Sequence, residues 1–198
     1  MGNVVPGLAD RTLSDRQEAY AAEIRALLDA ALQVMQRDET LDPRVSDIVK
    51  KSGLSNQAFY RHFRGKDELL LALLEDGQER LTASVERRAA RATTDAGKVT
   101  AWIEAVLAQA RDPQAAAATR PFAINGDRLA ASFPVESRRS RERLLEPLSA
   151  VVGEESALAI YHLAMGSMQT ALVERRPPTK GEIDGLVAFA LRGCRLGT

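Results

Sequence analysis

One cysteine, Cys194, and two histidines, His62 and His162, are all the thiol and imidazole that the 198 residues contain. A lone thiol closes no internal disulfide, and no CxxC, HExxH or Cys/His cluster occurs, so no metal site is expected. Long apolar runs are also missing: stretches such as Leu69 to Leu74 fall far short of the ~20 residues that span a bilayer. The start of the chain has no basic segment followed by an apolar core. Met1-Gly2 opens like a myristoylation signal, but Pro6 stands where that signal takes Ser or Thr. Neither GxSxG, GxxxxGK[ST] nor GxGxxG is present, and no nucleophile, base and partner fall at a meaningful spacing, which argues against an enzyme. Together these absences lead us to expect a soluble cytoplasmic protein with no cofactor, no metal and no membrane partner.

Net charge is absent too, with 27 Lys and Arg against 27 Asp and Glu, so a uniformly basic coat is excluded. The balance is nevertheless local. Between positions 44 and 66, Arg44, Lys50, Lys51, Arg61, Arg64 and Lys66 are opposed by Asp47 alone, and the rest of the chain is acidic. One short stretch therefore carries the positive field.

Strand signals are scarce: β-branched residues are scattered, and Ala, Leu, Arg and Glu dominate. The expected fold class is all-α, with about nine helices. After a polar tail over 1–13, Ser14 with Gln17 reads as a capping box, and Tyr20, Ile24, Leu27, Leu28, Ala31 and Met35 follow at helical spacing. Asp42-Pro43 reads as an N-cap and first position for a short helix that Gly53 stops, and Ser55 caps another that ends before Gly65. A long helix runs from about Lys66 past Val85. Asp95, Asp112-Pro113 and Pro134 open further helices, with Arg120-Pro121 ending one and Pro147 kinking or splitting another. The stretch 121–134 reads as a broken helix or structured loop. Two helices close the chain, about 155–174 and 180–194, the latter capped by Thr179 with Glu182.

The pair of short helices lies inside the basic stretch and is joined by a tight turn, which is the pattern of a helix-turn-helix. The first helix buries Val45, Ile48 and Val49, and the second buries Phe59 and Phe63. At ~100° per residue, Asn56, Gln57, Tyr60, Arg61 and Arg64 share the opposite face, and a helix of this width fits a major groove ~12 Å wide. Ser55 opens that helix, where the backbone N–H groups suit a phosphate. His62 projects nearer the buried flank, as a structural histidine would.

The run Asp47-Ile48-Val49-Lys50-Lys51-Ser52-Gly53-Leu54-Ser55-Asn56-Gln57-Ala58-Phe59-Tyr60-Arg61-His62-Phe63-Arg64-Gly65-Lys66-Asp67-Glu68-Leu69-Leu70 resembles the DNA-binding signature of the TetR family of transcriptional regulators. Its Gly-x-Ser, Phe-Tyr-x-His-Phe and Lys-x-x-Leu elements stand in register. The likeness is sharp over about residues 16–75, and beyond that it extends only to helix count and length. It implies an N-terminal helix-turn-helix domain, 14–65, and a larger helical domain, 66–198, that binds an effector and dimerises. It implies that Gln57 and Asn56 read bases, that Tyr60 and His62 touch the phosphate backbone, and that Lys66 meets a phosphate. Arg44 or Ser46 would do likewise, although Arg44 stands where the family usually has Thr.

In the second half, Trp102, Phe122, Phe133, Tyr161, His162 and Met165 are candidates for lining an apolar effector site. Ordinary core packing accounts for them equally well, and His162 also reads as a histidine near an interface. The two closing helices carry wide apolar faces with the small residues Ala164, Gly166, Ser167 and Ala171, as a two-fold four-helix bundle requires. The expected function is that of a homodimeric repressor of double-stranded operator DNA, released by a small hydrophobic effector. Two alternatives stand beside it: a DNA-binding dimer without effector, and a ligand-binding helical protein whose helix-turn-helix is vestigial.

Overall fold

The computed structural model describes residues 6–196, and side chains from 13 onward, so the reading of Met1-Gly2 lies outside the described residues. All regular structure among them is helical, in ten helices: α1 (Pro6–Asp38), α2 (Val45–Ser52), α3 (Asn56–His62), α4 (Lys66–Ala89), α5 (Asp95–Arg111), α6 (Pro113–Ala123), α7 (Gly126–Ser132), α8 (Pro134–Val152), α9 (Glu154–Val173) and α10 (Lys180–Gly193). No described helix is long and apolar enough to cross a membrane. The chain divides into two compact units, Met1–Leu73 and Leu74–Thr198.

In the first unit, Leu27, Ala31, Val34 and Met35 of α1 are buried together with Leu41, Ile48, Phe59, Phe63 and Leu69. The first helix begins at Pro6 rather than Ser14, which corrects the expected polar tail over 1–13. A proline fixes φ for a first helical position, and Ser14 is an interior residue whose hydroxyl bonds Glu18, four positions on. The second correction concerns the start of α2. That helix begins at Val45 with Arg44 in the cap position and no side-chain cap bond, because Arg44, not Pro43, is the last extended residue. The Asp42 carboxylate pairs instead with Lys66.

The turn between α2 and α3 follows the expectation at Gly53, whose φ of 72° is left-handed. Ser52 completes it: its hydroxyl donates to the Val49 carbonyl at 3.1 Å and accepts from the Leu54 N–H at 3.3 Å. Ser55 caps α3 by accepting from the Ala58 N–H at 3.1 Å, and the Glu68 carboxylate reaches back to the Arg64 N–H at 2.6 Å to start α4.

The second unit is built around α5 and α9. Val99, Trp102, Ile103, Val106, Leu107 and Ala110 of α5 are buried against Ala157, Ile160, Ala164, Met168 and Leu172 of α9, with Leu144 and Leu148 of α8 and Ile183 and Leu191 of α10. Pro121, expected to end a helix, does not, and Pro147, expected to kink or split one, does not split it. Helix α6 continues through Pro121 to Ala123, and α8 continues through Pro147 to Val152. Pro121 is buried, so packing offsets the missing backbone donor, and its own carbonyl, near the end of α6, accepts from Asn125 Nδ2 at 2.8 Å. Residues 121–134 are indeed a broken helix, with α7 in their middle.

Candidate nucleic-acid interface

All nine sequence candidates for DNA contact fall in the first unit. Helix α3 is anchored by Ala58 and Phe59, both buried, with Phe63 closing its end. That burial turns the other face outward: Asn56 and Gln57 are exposed, and Tyr60 is 61% exposed with its ring edge against Phe59 at 5.2 Å between centroids. An aromatic left so open beside a fully buried one is costly to hydrate and useful for contact. Arg44 and Ser46 lie at the start of α2, both exposed, and Ser55 is exposed although its hydroxyl serves the helix cap. Lys66 sits at the first position of α4, and its ion pair with Asp42 draws the starts of α2 and α4 together.

Two candidates are placed differently. The His62 side chain is fully buried, with its ring edge-on to Tyr20 at 4.4 Å and Nε2 2.6 Å from Glu23 Oε2. It faces the interior of the unit. The same Glu23 oxygen accepts from Arg61 Nη2, so Arg61 is folded back toward α1. Hydrogen bonds from His62 and then Arg61 hold the Glu23 carboxyl below its usual range. Glu23 was not a sequence candidate. It lies 39 positions from His62, and on a helix already read as amphipathic nothing distinguished it from a solvated charge.

The six candidates for an effector site divide as well. Trp102 is core, and its indole N–H donates to the Leu144 carbonyl at 2.9 Å. Tyr161 is half-buried, 6.4 Å from Trp102 between ring centroids, and burial pushes its hydroxyl pKa up. Met165 packs against the same core, Phe122 and Phe133 are half-buried, and His162 is exposed with its ring against Tyr161. One surface depression in this unit lies elsewhere, lined by Arg88, Glu104, Arg111, Asp112, Lys180 and Asp184 among others. Of the small residues assigned to a dimer face, Ala164 and Ala171 are spent on the core, while Gly166 is exposed. Among the described residues no group of three or more His, Cys, Asp or Glu is placed to hold a metal ion.

Residues 27–73 match the family model described as bacterial regulatory proteins, tetR family. Two curated proteins of Pseudomonas putida are similar to this chain at 32% identity over 97 residues, or 48% of it: the HTH-type transcriptional regulator SrpR and the uncharacterized HTH-type transcriptional regulator TtgW. The matched stretch covers 42% of SrpR, less than half its length, and 67% of TtgW. The fold is also that of a TetR-family transcriptional regulator from Streptomyces coelicolor, at 19% identity and a TM-score of 0.59, with 88% of this chain and 93% of that one covered.

Proposed function

This chain belongs to the TetR family of bacterial regulatory proteins, and from that premise we propose that it is a cytoplasmic DNA-binding transcriptional repressor that acts as a homodimer. The observation that carries the reading is the outward face of α3, where Asn56, Gln57 and Tyr60 stand exposed over buried Ala58 and Phe59. In this reading residues 14–65 engage DNA. Gln57 and Asn56 meet base edges, Tyr60 meets a phosphate, and Lys66 exchanges Asp42 for a phosphate, helped by Arg44 or Ser46 and by the N–H groups after Ser55. Such an exchange is cheap, because a pair with both partners this exposed contributes only ~0–1 kcal/mol.

Residues 66–198 supply dimerisation and effector binding. Support for the dimer comes from exposed Leu158 and Val173 on α9 and from Phe189 on α10, which is 62% exposed. On α9, Leu158, His162, Gly166 and Val173 are all exposed and fall within ~80° of one another round the helix, a stripe that a second copy would cover. A small hydrophobic effector would sit near Tyr161, Met165 and Phe122, beside the Trp102 core. To shift occupancy ~100-fold it must favour the released state by ~2.7 kcal/mol. A second reading, a DNA-binding dimer without effector, draws support from the sealed position of Trp102.

Selection of bound duplexes from random DNA tests the proposal. Near-palindromic sites with half-site centres ~34–36 Å apart, or a small multiple of that, are expected. Gln57→Ala should change the preferred base at one position of each half-site. No enrichment over unselected DNA would overturn the reading.

A further inference from the structure

Two side chains of α3 converge on one carboxylate of α1. Glu23 Oε2 accepts from Arg61 and from His62 Nε2. The imidazole nitrogen facing it carries the proton, since a carboxylate offers only lone pairs. His62 has no second polar anchor, for its Nδ1 is buried without a hydrogen-bond partner among the described residues. Glu23 is less exposed than Asp42, the carboxylate that pairs with Lys66: 31% of its side chain is open, against 58%. Arg61 itself is 53% open, no less than Lys66 at 43%, so what sets Glu23 apart is its own cover and its second, fully buried partner, His62. Arg61 lies at the edge of the outward face, ~40° round the helix from Gln57 on the side leading to Ala58 and His62. It is the cation of α3 best placed to be drawn away from DNA.

We propose that Glu23 restrains sequence-independent DNA binding by holding Arg61 off the phosphate backbone, which leaves recognition to Asn56, Gln57 and Tyr60. The proposal rests on the DNA-reading role given to α3 above. Its physical basis is that phosphate contacts add affinity for any duplex, each contributing ~0.9 to the slope of log affinity against log salt. A cation retained by an internal carboxylate contributes nothing to that slope.

Full-length protein, Glu23→Gln, and the double variant Glu23→Gln with Arg61→Gln are titrated with an unrelated duplex at about 50 and 200 mM salt. Glutamine keeps the size of the side chain and an acceptor for His62, and melting followed by circular dichroism checks that the variants fold as the parent does. Glu23→Gln is expected to bind the unrelated duplex more tightly at the lower salt. Its loss of affinity between the two salt concentrations should exceed the parent's about threefold, the signature of one added phosphate contact. The double variant should return to the parent's affinity and salt dependence. Parent-like behaviour of Glu23→Gln would overturn the proposal, as would a gain that persists without Arg61, which would be the general effect of removing a negative charge. A parent protein that binds no duplex at the lower salt would overturn this proposal together with the DNA-binding reading, whereas a parent that binds and weakens in Lys66→Ala leaves that reading intact.

Discussion

At the start of α10, Thr179 accepts from the Glu182 N–H while the Glu182 carboxylate takes the Thr179 N–H and hydroxyl together with the Arg176 guanidinium. Those bonds, the Arg176 pair foremost, hold the Glu182 carboxyl at about 2 instead of 4.5. A folded-state pKa below the unfolded one stabilises the protein above pH 4.5, and the contribution is lost as pH falls toward about 2. Melting temperatures of the native protein and Glu182→Gln should therefore differ at about pH 7 and converge near about pH 2. Thr179→Ala, which removes the other half of the box, should cost ~1 kcal/mol in a urea titration. Both residues were legible because a capping box is a local pattern, confined to one turn. The same is true of Asn56, Gln57 and Tyr60, whose exposure follows from where Phe59 and Phe63 point. The inward turn of His62 was legible only as a tendency of the helix projection, since its cause, Glu23 and Tyr20 on another helix, is tertiary.

Among the elements, the turn between α2 and α3 depends on Gly53. A Cβ added there would meet nothing within 4 Å, but φ is 72°. Gly53→Ala should consequently destabilise by ~1 kcal/mol through backbone strain alone, with the urea midpoint lowered and the fluorescence of buried Trp102 unchanged in the native state. Helix starts were mostly readable from Ser55, Asp112 and Thr179, each of which accepts from a first-turn N–H. Ends carried weaker local marks, although those expected at about 174 and 194 fall within one residue of Val173 and Gly193. Helices α1, α9 and α10 close on Glu39, Arg175 and Arg195, all with positive φ, and the next residue bonds back five positions in each case. A glycine would have announced those ends; these side chains do not. Pro121 misled in the opposite direction, because it is buried and α6 runs on through it to Ala123. The early start of α1 was missed because Ser14 and Gln17 imitate a capping box in the middle of a helix.

At the scale of the whole molecule, the all-helical class followed from composition, whereas a division into two parts was implied only by the resemblance of the stretch 47–70 to the TetR family. The role of each face in the second part was not legible, because Ala, Leu and Met serve a core and an interface alike. Ala164 is fully buried in its own chain, while Phe189 is left open. If α9 and α10 form the dimer face, Phe189→Glu should give a folded monomer in sedimentation, with weaker operator binding. The central claim, sequence-specific DNA recognition by α3, is tested most directly by titrating the purified protein against the DNA upstream of its own gene, with unrelated DNA of equal length as competitor, at two salt concentrations. The account predicts tight, competitor-resistant binding by a dimer, lost in Tyr60→Ala. Binding no tighter than to the unrelated DNA, and equal in Tyr60→Ala, would contradict it.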